Sequence, residues 1–223
     1  MNAASAPNSV AARALSAVEA GDHKALEQAL AAGADPGTVD AQGVPLLQLA
    51  LKRHDRVAFR TLLERGASPS QRSALSGRTA THLAVLQETD PWWLETLIAH
   101  KADLDAPNAD NGDRPLMDAI LAQNETAFER LLQAGADPNA RNSVGETSLH
   151  AASHLNWARY SLRLLQAGAD AAARTRTGAS FQDYQWMTSE DLLAPQAKRE
   201  REALRAWLRE HGIAVQESTA AKR

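Results

Sequence analysis

The sequence predicts an all-α solenoid: four full helix-turn-helix repeats with hairpin-like loops, closed by a capping unit at each end. Three observations predict it. Glycines Gly43, Gly77, Gly112, Gly145 and Gly178 recur at spacings of 34, 35, 33 and 33 residues. A second marker, Gly33, Gly66, Lys101, Gly135 and Gly168, recurs at 33, 35, 34 and 33. Between the markers, apolar residues such as Phe59, Leu62 and Leu63 sit three and four apart, the spacing of one buried helix face. Units of this length cannot bury their own apolar faces, so neighbours must stack.

The elements follow in order. Residues 1–9 read as a disordered lead, and Asn8-Ser9 can cap a first helix that ends at Gly21-Asp22. A second helix carries Leu26, Ala29 and Leu30 to Gly33-Ala34-Asp35-Pro36. This pair lacks a hairpin and reads as an N-cap over 10–37. The first repeat, 38–70, turns at Asp40-Ala41-Gln42-Gly43, starts its helix at Pro45 and closes at Gly66-Ala67-Ser68-Pro69. The second, 71–105, turns at Ser76-Gly77 and closes at Lys101, a lysine where the others have glycine. The third, 106–139, turns at Asp110-Asn111-Gly112; the fourth, 140–173, runs from Gly145 to Gly168-Ala169-Asp170. The glycines allow positive φ in the turns and at helix ends.

After Gly178 the pattern degrades, with Phe181, Tyr184, Trp186 and Met187 where a first helix should be. Gly178 to Gly212 spans 34 residues, against 23 from Gly145 to Gly168. The excess of about 11 places an insertion near 188–196. The C-cap then runs over 174–215, its last helix about Lys198 to Glu210. The charge run Lys198-Arg199-Glu200-Arg201-Glu202 reads as the solvated outer face that a terminal cap presents. Residues 216–223 read as a frayed tail. Residues 10–215 thus form a single repeat domain.

Totals narrow the function. The net charge of −3 is too mild to call for a nucleic-acid partner. Cysteine is absent, which removes disulfides, thiolate nucleophiles and cysteine metal sites. No apolar run reaches the roughly 18 residues of a membrane helix, and the polar start lacks a secretory pattern, so the chain reads as cytoplasmic. The Asn124-Glu125-Thr126 sequon is idle in that compartment. Phosphate loop, nucleophile elbow and dinucleotide fingerprint are missing, so the chain reads as non-catalytic and without cofactor. His150 and His154 lie four apart, as zinc ligands on one helix face would, but no third ligand is near and no metal is expected.

The repeat resembles the ankyrin repeat, whose unit reads Gly-x-Thr-Pro-Leu-His-x-Ala, two antiparallel helices, then Leu-Leu-x-x-Gly-Ala-Asp. Gly145, Thr147, Leu149, His150 and Ala152 match most closely, with serine at the proline position. Gly77, Thr79, His82 and Ala84 match with Thr81 in the leucine place; Gly43 leads to Leu47 and Ala50 with Gln48 for histidine. Gly112 leads to Pro115, Leu116 and Ala119 with Met117 at the histidine position. The resemblance covers about residues 12–215. It implies that His82 and His150 link neighbouring loops by hydrogen bonds. With the alanine- and arginine-rich usage, it also implies a small free-standing bacterial protein.

It further implies that hairpin tips and first-helix faces line a concave, partner-binding surface. By position this surface holds Ala41, Gln42, Val44, Lys52, Arg53, Arg78 and Gln87, then Asp110, Asn111, Asp113 and Leu121, then Val144, Glu146, His154, Leu155 and Arg176. It runs from basic to acidic, which suits a protein with its own charge pattern rather than a phosphate backbone. Trp93 and Trp207 fit apolar stripes. Trp92, Trp157 and Trp186 are candidate anchors for a partner, or else pack against longer inter-helix loops. The function so implied is a monomeric protein-binding module that blocks or scaffolds a partner, in its specific form an immunity protein neutralising a toxin. The alternatives are a secreted effector that captures a host protein and a structural subunit that oligomerises through those tryptophans.

Overall fold

The computed structural model describes residues 9–86 and 90–216. The lead before Ser9, the tail after Gln216 and the candidate Gln87 lie outside the described residues. Two compact units are present, one ending at Asp110 and the other beginning at Asn111. Among the described residues all regular structure is helical, apart from one isolated bridge between Val39 and Pro45.

The first unit holds three helical hairpins: α1 (Val10–Ala20) with α2 (His23–Ala31), α3 (Leu46–Lys52) with α4 (Arg56–Glu64), and α5 (Ala80–Leu86) with α6 (Trp92–Ala99). The inner helices α1, α3 and α5 pack side by side, and α2 packs on α4 outside them. Short polar side chains start α1, α2 and α4. Ser9 Oγ accepts the Ala12 N–H at 3.1 Å, while Asp22 and Asp55 Oδ1 accept those of Ala25 and Ala58 at 2.9 and 3.0 Å. Each such cap satisfies a donor that the first turn leaves unpaired. The interior is aliphatic, with Leu26, Leu46, Leu51 and Leu62 buried around Phe59 and Trp93.

The second unit repeats the plan with α7 (Pro115–Leu121) and α8 (Glu125–Gln133), α9 (Ser148–His154) and α10 (Ala158–Gln166), then α11 (Phe181–Gln185) and α12 (Pro195–Glu210). Helices α7, α9 and α11 pack in a row, and α12 lies on α10. Two ion pairs tie α10 to α8: Arg159 to Glu125 at 2.7 and 3.0 Å, and Arg163 to Glu129 at 3.0 Å. The insertion forms a 3-10 turn at Glu190–Leu192, and α12 starts at Pro195, earlier than its charge run suggested.

Successive inter-hairpin loops are joined within each unit by backbone bonds. The Ala74 and Ala109 N–H groups donate to the Gly43 and Gly77 carbonyls at 2.9 and 3.0 Å; those of Ser143 and Arg176 donate to Asn111 and Val144 at 2.9 and 3.0 Å. This approach explains Gly77 beyond its φ of +62°. A Cβ there would lie 2.6 Å from Ala109 Cβ and 2.9 Å from its backbone nitrogen. Gly66, with φ +92°, needs only the backbone freedom, since its added Cβ would meet nothing within 4 Å. Lys101 takes the same left-handed state at φ 57° without being glycine.

The histidine position is a second loop-to-loop link. His150 Nδ1 accepts the Thr147 N–H at 3.2 Å and lies 2.9 Å from Thr147 Oγ1. That acceptance fixes the proton on Nε2, which donates to the Ala179 carbonyl at 3.3 Å. Burial pushes its pKa below the ordinary 6.5, so the ring is neutral. With both nitrogens engaged, His150 is a structural group and no zinc ligand. Gln48 does the same work in the first repeat, its Nε2 donating to the carbonyls of Gln71 (3.0 Å) and Arg78 (2.8 Å). In the C-cap, Asp183 stands at this position. It accepts the Ser180 N–H and hydroxyl at 2.6 and 2.8 Å, and the backbone bond in particular holds its carboxyl below the usual carboxylate range.

Candidate functional site

In the first unit, Lys52 at the end of α3 and Arg53 just after it are exposed. Arg78 is half-buried. Asp110 is exposed, and its N–H donates to Asn108 Oδ1 at 3.1 Å. Between the hairpin tips lies a shallow depression of about 430 Å³, lined in part by Arg72, Leu75 and Asp110. Val44 does not belong to an exposed face: it is buried, because its N–H turns inward to Asp40 Oδ1 at 2.8 Å.

Trp92 sits half-buried on the outer side, edge-on to Trp93 at 4.9 Å. The Arg56 and Arg60 guanidinium groups cover its ring at 4.9 and 5.5 Å. Arg56 also pairs with Asp90, and that hydrogen bond holds the Asp90 carboxyl below the usual carboxylate range.

The second unit carries a better-formed cleft, about 320 Å³, between the α7 and α9 hairpins. It brings together Asn111, Asp113, Glu146, His154 and Leu155 from the predicted set, with Leu121 and Val144. One amide organises the polar side. Asn142 Nδ2 donates to Asp113 Oδ1 at 2.8 Å and to Glu146 Oε2 at 3.3 Å, while its Oδ1 accepts the Val144 and Glu146 N–H groups at 3.1 and 2.9 Å. Asp113 Oδ2 accepts from Asn111 Nδ2 at 2.7 Å. Those contacts bury Asp113, so the sequence expectation of a surface carboxylate there is corrected. His154 Nε2 lies 2.9 Å from Glu146 Oε1, and its ring packs on Tyr184 at 3.9 Å. The apolar side is open: Leu121, Val144 and Leu155 are 50%, 51% and 36% exposed. Arg176 is exposed in the next hairpin.

Trp157 stands outside the cleft at the start of α10. Its position is the N-cap, where α2, α4 and α8 have Asp22, Asp55 and Asn124 as side-chain acceptors; Trp157 provides none. The half-buried ring leans on Tyr160 at 5.4 Å, beside a cleft of about 250 Å³ that includes Glu125, Arg159 and Glu200. This fourth repeat therefore forgoes a helix cap that is worth about 1 kcal/mol.

Trp186 is corrected as a partner anchor. It is 5% exposed, its indole N–H donates to Gln182 Oε1 at 3.2 Å, and Arg201 and Arg205 lie 5.8 and 4.9 Å from its ring centre. The residue that sequence reasoning missed is Arg201, placed on a solvated face yet 2% exposed. It donates from Nη2 and Nε to Asn156 Oδ1 (2.6 and 3.2 Å), from Nη1 to the Thr188 carbonyl (2.7 Å), and from Nη2 to the Gln185 carbonyl (3.2 Å). Glu190 completes the set at 3.3 Å. Burial pushes the Arg201 pKa below the ordinary guanidinium range. Trp207, read from the sequence as core, is half-buried and stacks on His211 at 3.8 Å. A broad groove of about 840 Å³ flanks this cap, lined by Met187, Arg205 and Val215 among others.

Helical hairpins stacked within each unit through periodic loop bonds define a helical repeat scaffold. Residues 58–142 match the model for ankyrin repeats in three copies. A solved ankyrin repeat domain from Acinetobacter baumannii AYE superposes with a TM-score of 0.71 at 21% identity, covering 90% of this chain and 98% of that one. The chain is 34% identical over 113 residues to protein PhlB of Serratia liquefaciens, covering 51% of this chain and 49% of PhlB. It is 35% identical over 91 residues to NF-kappa-B inhibitor alpha of Sus scrofa, covering 40% and 29%. The chain thus spans about half the length of PhlB and less of the inhibitor. Ankyrin repeats mediate protein–protein interaction. No helix among the described residues is long and apolar enough to cross a membrane.

Proposed function

We propose that the chain binds a partner protein through its inner-helix face and blocks it, in the specific form of a bacterial cytoplasmic immunity protein neutralising a toxin. Residues 10–215 act together as the recognition domain in this reading. The observation that carries it is the α7–α9 cleft, where three exposed aliphatic side chains surround Glu146 and His154, whose positions are set by Asn142 and Tyr184. An apolar centre with a fixed polar rim is the anatomy of a protein-binding patch. Preformed side chains also reduce the ordering that association requires. An inhibitor among the relatives supports the blocking mode. Self-assembly through Trp186 has lost its anchor to burial.

The test is calorimetry against the product of the neighbouring gene. One-to-one binding with a nanomolar Kd is expected, weakened at least tenfold by Val144→Asp and by Leu155→Asp, both at exposed positions lining the cleft. Absence of binding would refute the immunity form. Binding that both variants leave intact would move the interface elsewhere.

A further inference from the structure

The α7–α9 cleft has two halves of different chemistry, and one kind of side chain satisfies both. Glu146 is the carboxylate at its open polar edge, with a side chain 25% exposed. Its two contacts, His154 on Oε1 and a long 3.3 Å bond from Asn142 on Oε2, leave acceptor capacity on a group with about four lone-pair directions. The same cleft is lined by the apolar side chains of Met117, Leu121, Val144 and Leu155. Among the residues lining the cleft there is no lysine or arginine, so nothing there other than His154 can neutralise Glu146. Lysine and arginine carry an apolar stem with a cationic head, and they settle where the stem is covered and the head meets an anion.

We propose that this cleft seats one arginine or lysine of the partner protein, its head on Glu146 and its stem along Leu121, Val144 and Leu155, with an aliphatic or aromatic residue beside it in the partner sequence. The inference rests on the protein-binding reading and adds the partner's chemistry to it. The volume, about 320 Å³, lies at the small end of ligand pockets and suits one or two side chains. Asn142 and the Tyr184-backed His154 hold the carboxylate in position before binding, which favours the planar guanidinium over a mobile ion. A phosphate or an acidic peptide would meet the carboxylate with like charge and is disfavoured.

The experiment is selection of random dodecapeptides displayed on phage against the full chain, followed by fluorescence anisotropy with the enriched peptide. Its arginine-to-citrulline analogue keeps the shape and removes the charge. Enriched sequences carrying arginine or lysine next to an aliphatic or aromatic residue are expected. The citrulline analogue should bind about tenfold more weakly, and Glu146→Gln should lose about the same with no further loss when the two changes are combined. Leu121→Ala, at a half-exposed position, should weaken binding several-fold with the circular dichroism spectrum unchanged. Enrichment of peptides without a cation, or equal affinity of wild type and Glu146→Gln, overturns the assignment and leaves the protein-binding reading standing. Failure to enrich any peptide, together with no binding to the neighbouring gene product, overturns both.

Discussion

Replacing Arg201 with methionine tests what holds the C-terminal cap. Methionine keeps an unbranched apolar stem against Trp186 and removes the guanidinium fork. The change deprives the buried Gln185 carbonyl and the half-buried Thr188 carbonyl of their donor, and leaves Asn156 Oδ1 only a long 3.4 Å bond from Gln185 Nε2. A buried acceptor left without a partner costs about 1–3 kcal/mol, and a half-buried one less because water replaces part of the bond. The sum, offset by the guanidinium no longer being desolvated, is about 3 kcal/mol, within the range for breaking a buried charged network. At 1.36 kcal/mol per decade, that is roughly a hundredfold rise in local opening. Hydrogen exchange read by mass spectrometry resolves it: peptides from α12 should lose about two decades of protection, while those from α3 and α4 stay unchanged. Arg201→Lys should fall between, since an ammonium cannot span Asn156 and two carbonyls in one plane. If α12 protection in Arg201→Met stays within threefold of wild type, Arg201 is not the clamp.

Three further outcomes follow from the backbone and the buried histidine. Gly77→Ala should destabilise by about 3 kcal/mol or more and Gly66→Ala by only about 1–2, because both strain a positive φ but only the first drives a Cβ into Ala109; urea melts of the two variants decide it. Lys101→Gly should raise stability by about 1 kcal/mol, visible as an increase of a few degrees in Tm, by relieving a left-handed non-glycine residue. The folded-state pKa of His150 lies below its unfolded value, so its contribution is full above about pH 6.5 and is lost as pH falls from there toward the folded pKa. His150→Gln, which copies the link made by Gln48, should show a shallower loss of stability in melts between pH 7.5 and 5.

The period carried most of the fold, because it reports backbone needs. Gly33, Gly66, Gly135 and Gly168 all have φ of 91–93°, and Lys101 betrays the same slot at 57° by its spacing alone. Within the cleft, Asn111, Glu146, His154 and Leu155 were legible, since inner-helix and hairpin positions are fixed by register. What escaped was context from chain 13 to 45 residues away. Arg201 sits in a run of charges and looks solvated until Thr188 and Asn156 fold against it. Trp186 looks like an exposed anchor until the arginines of α12 enclose it. The role of Asp22, Asp55 and Asn124 as caps became plain only beside Trp157, which breaks their series.

The left-handed turn residues His54, Gln123 and Asn156 occupy matching places between inner and outer helices. Of these, Asn156 is the one that Arg201 grips. The cap is therefore keyed to the repeat it closes. Were a copy of the third repeat inserted after the fourth, a glutamine would stand under Arg201 in place of Asn156, and the terminal helix would lose its fitted seat. Lengthening or shortening the array at this end thus demands that the last repeat carry asparagine in its turn. At the other end the corresponding contact is His23, whose Nε2 lies 2.9 Å from Asp55 Oδ1 at the start of α4.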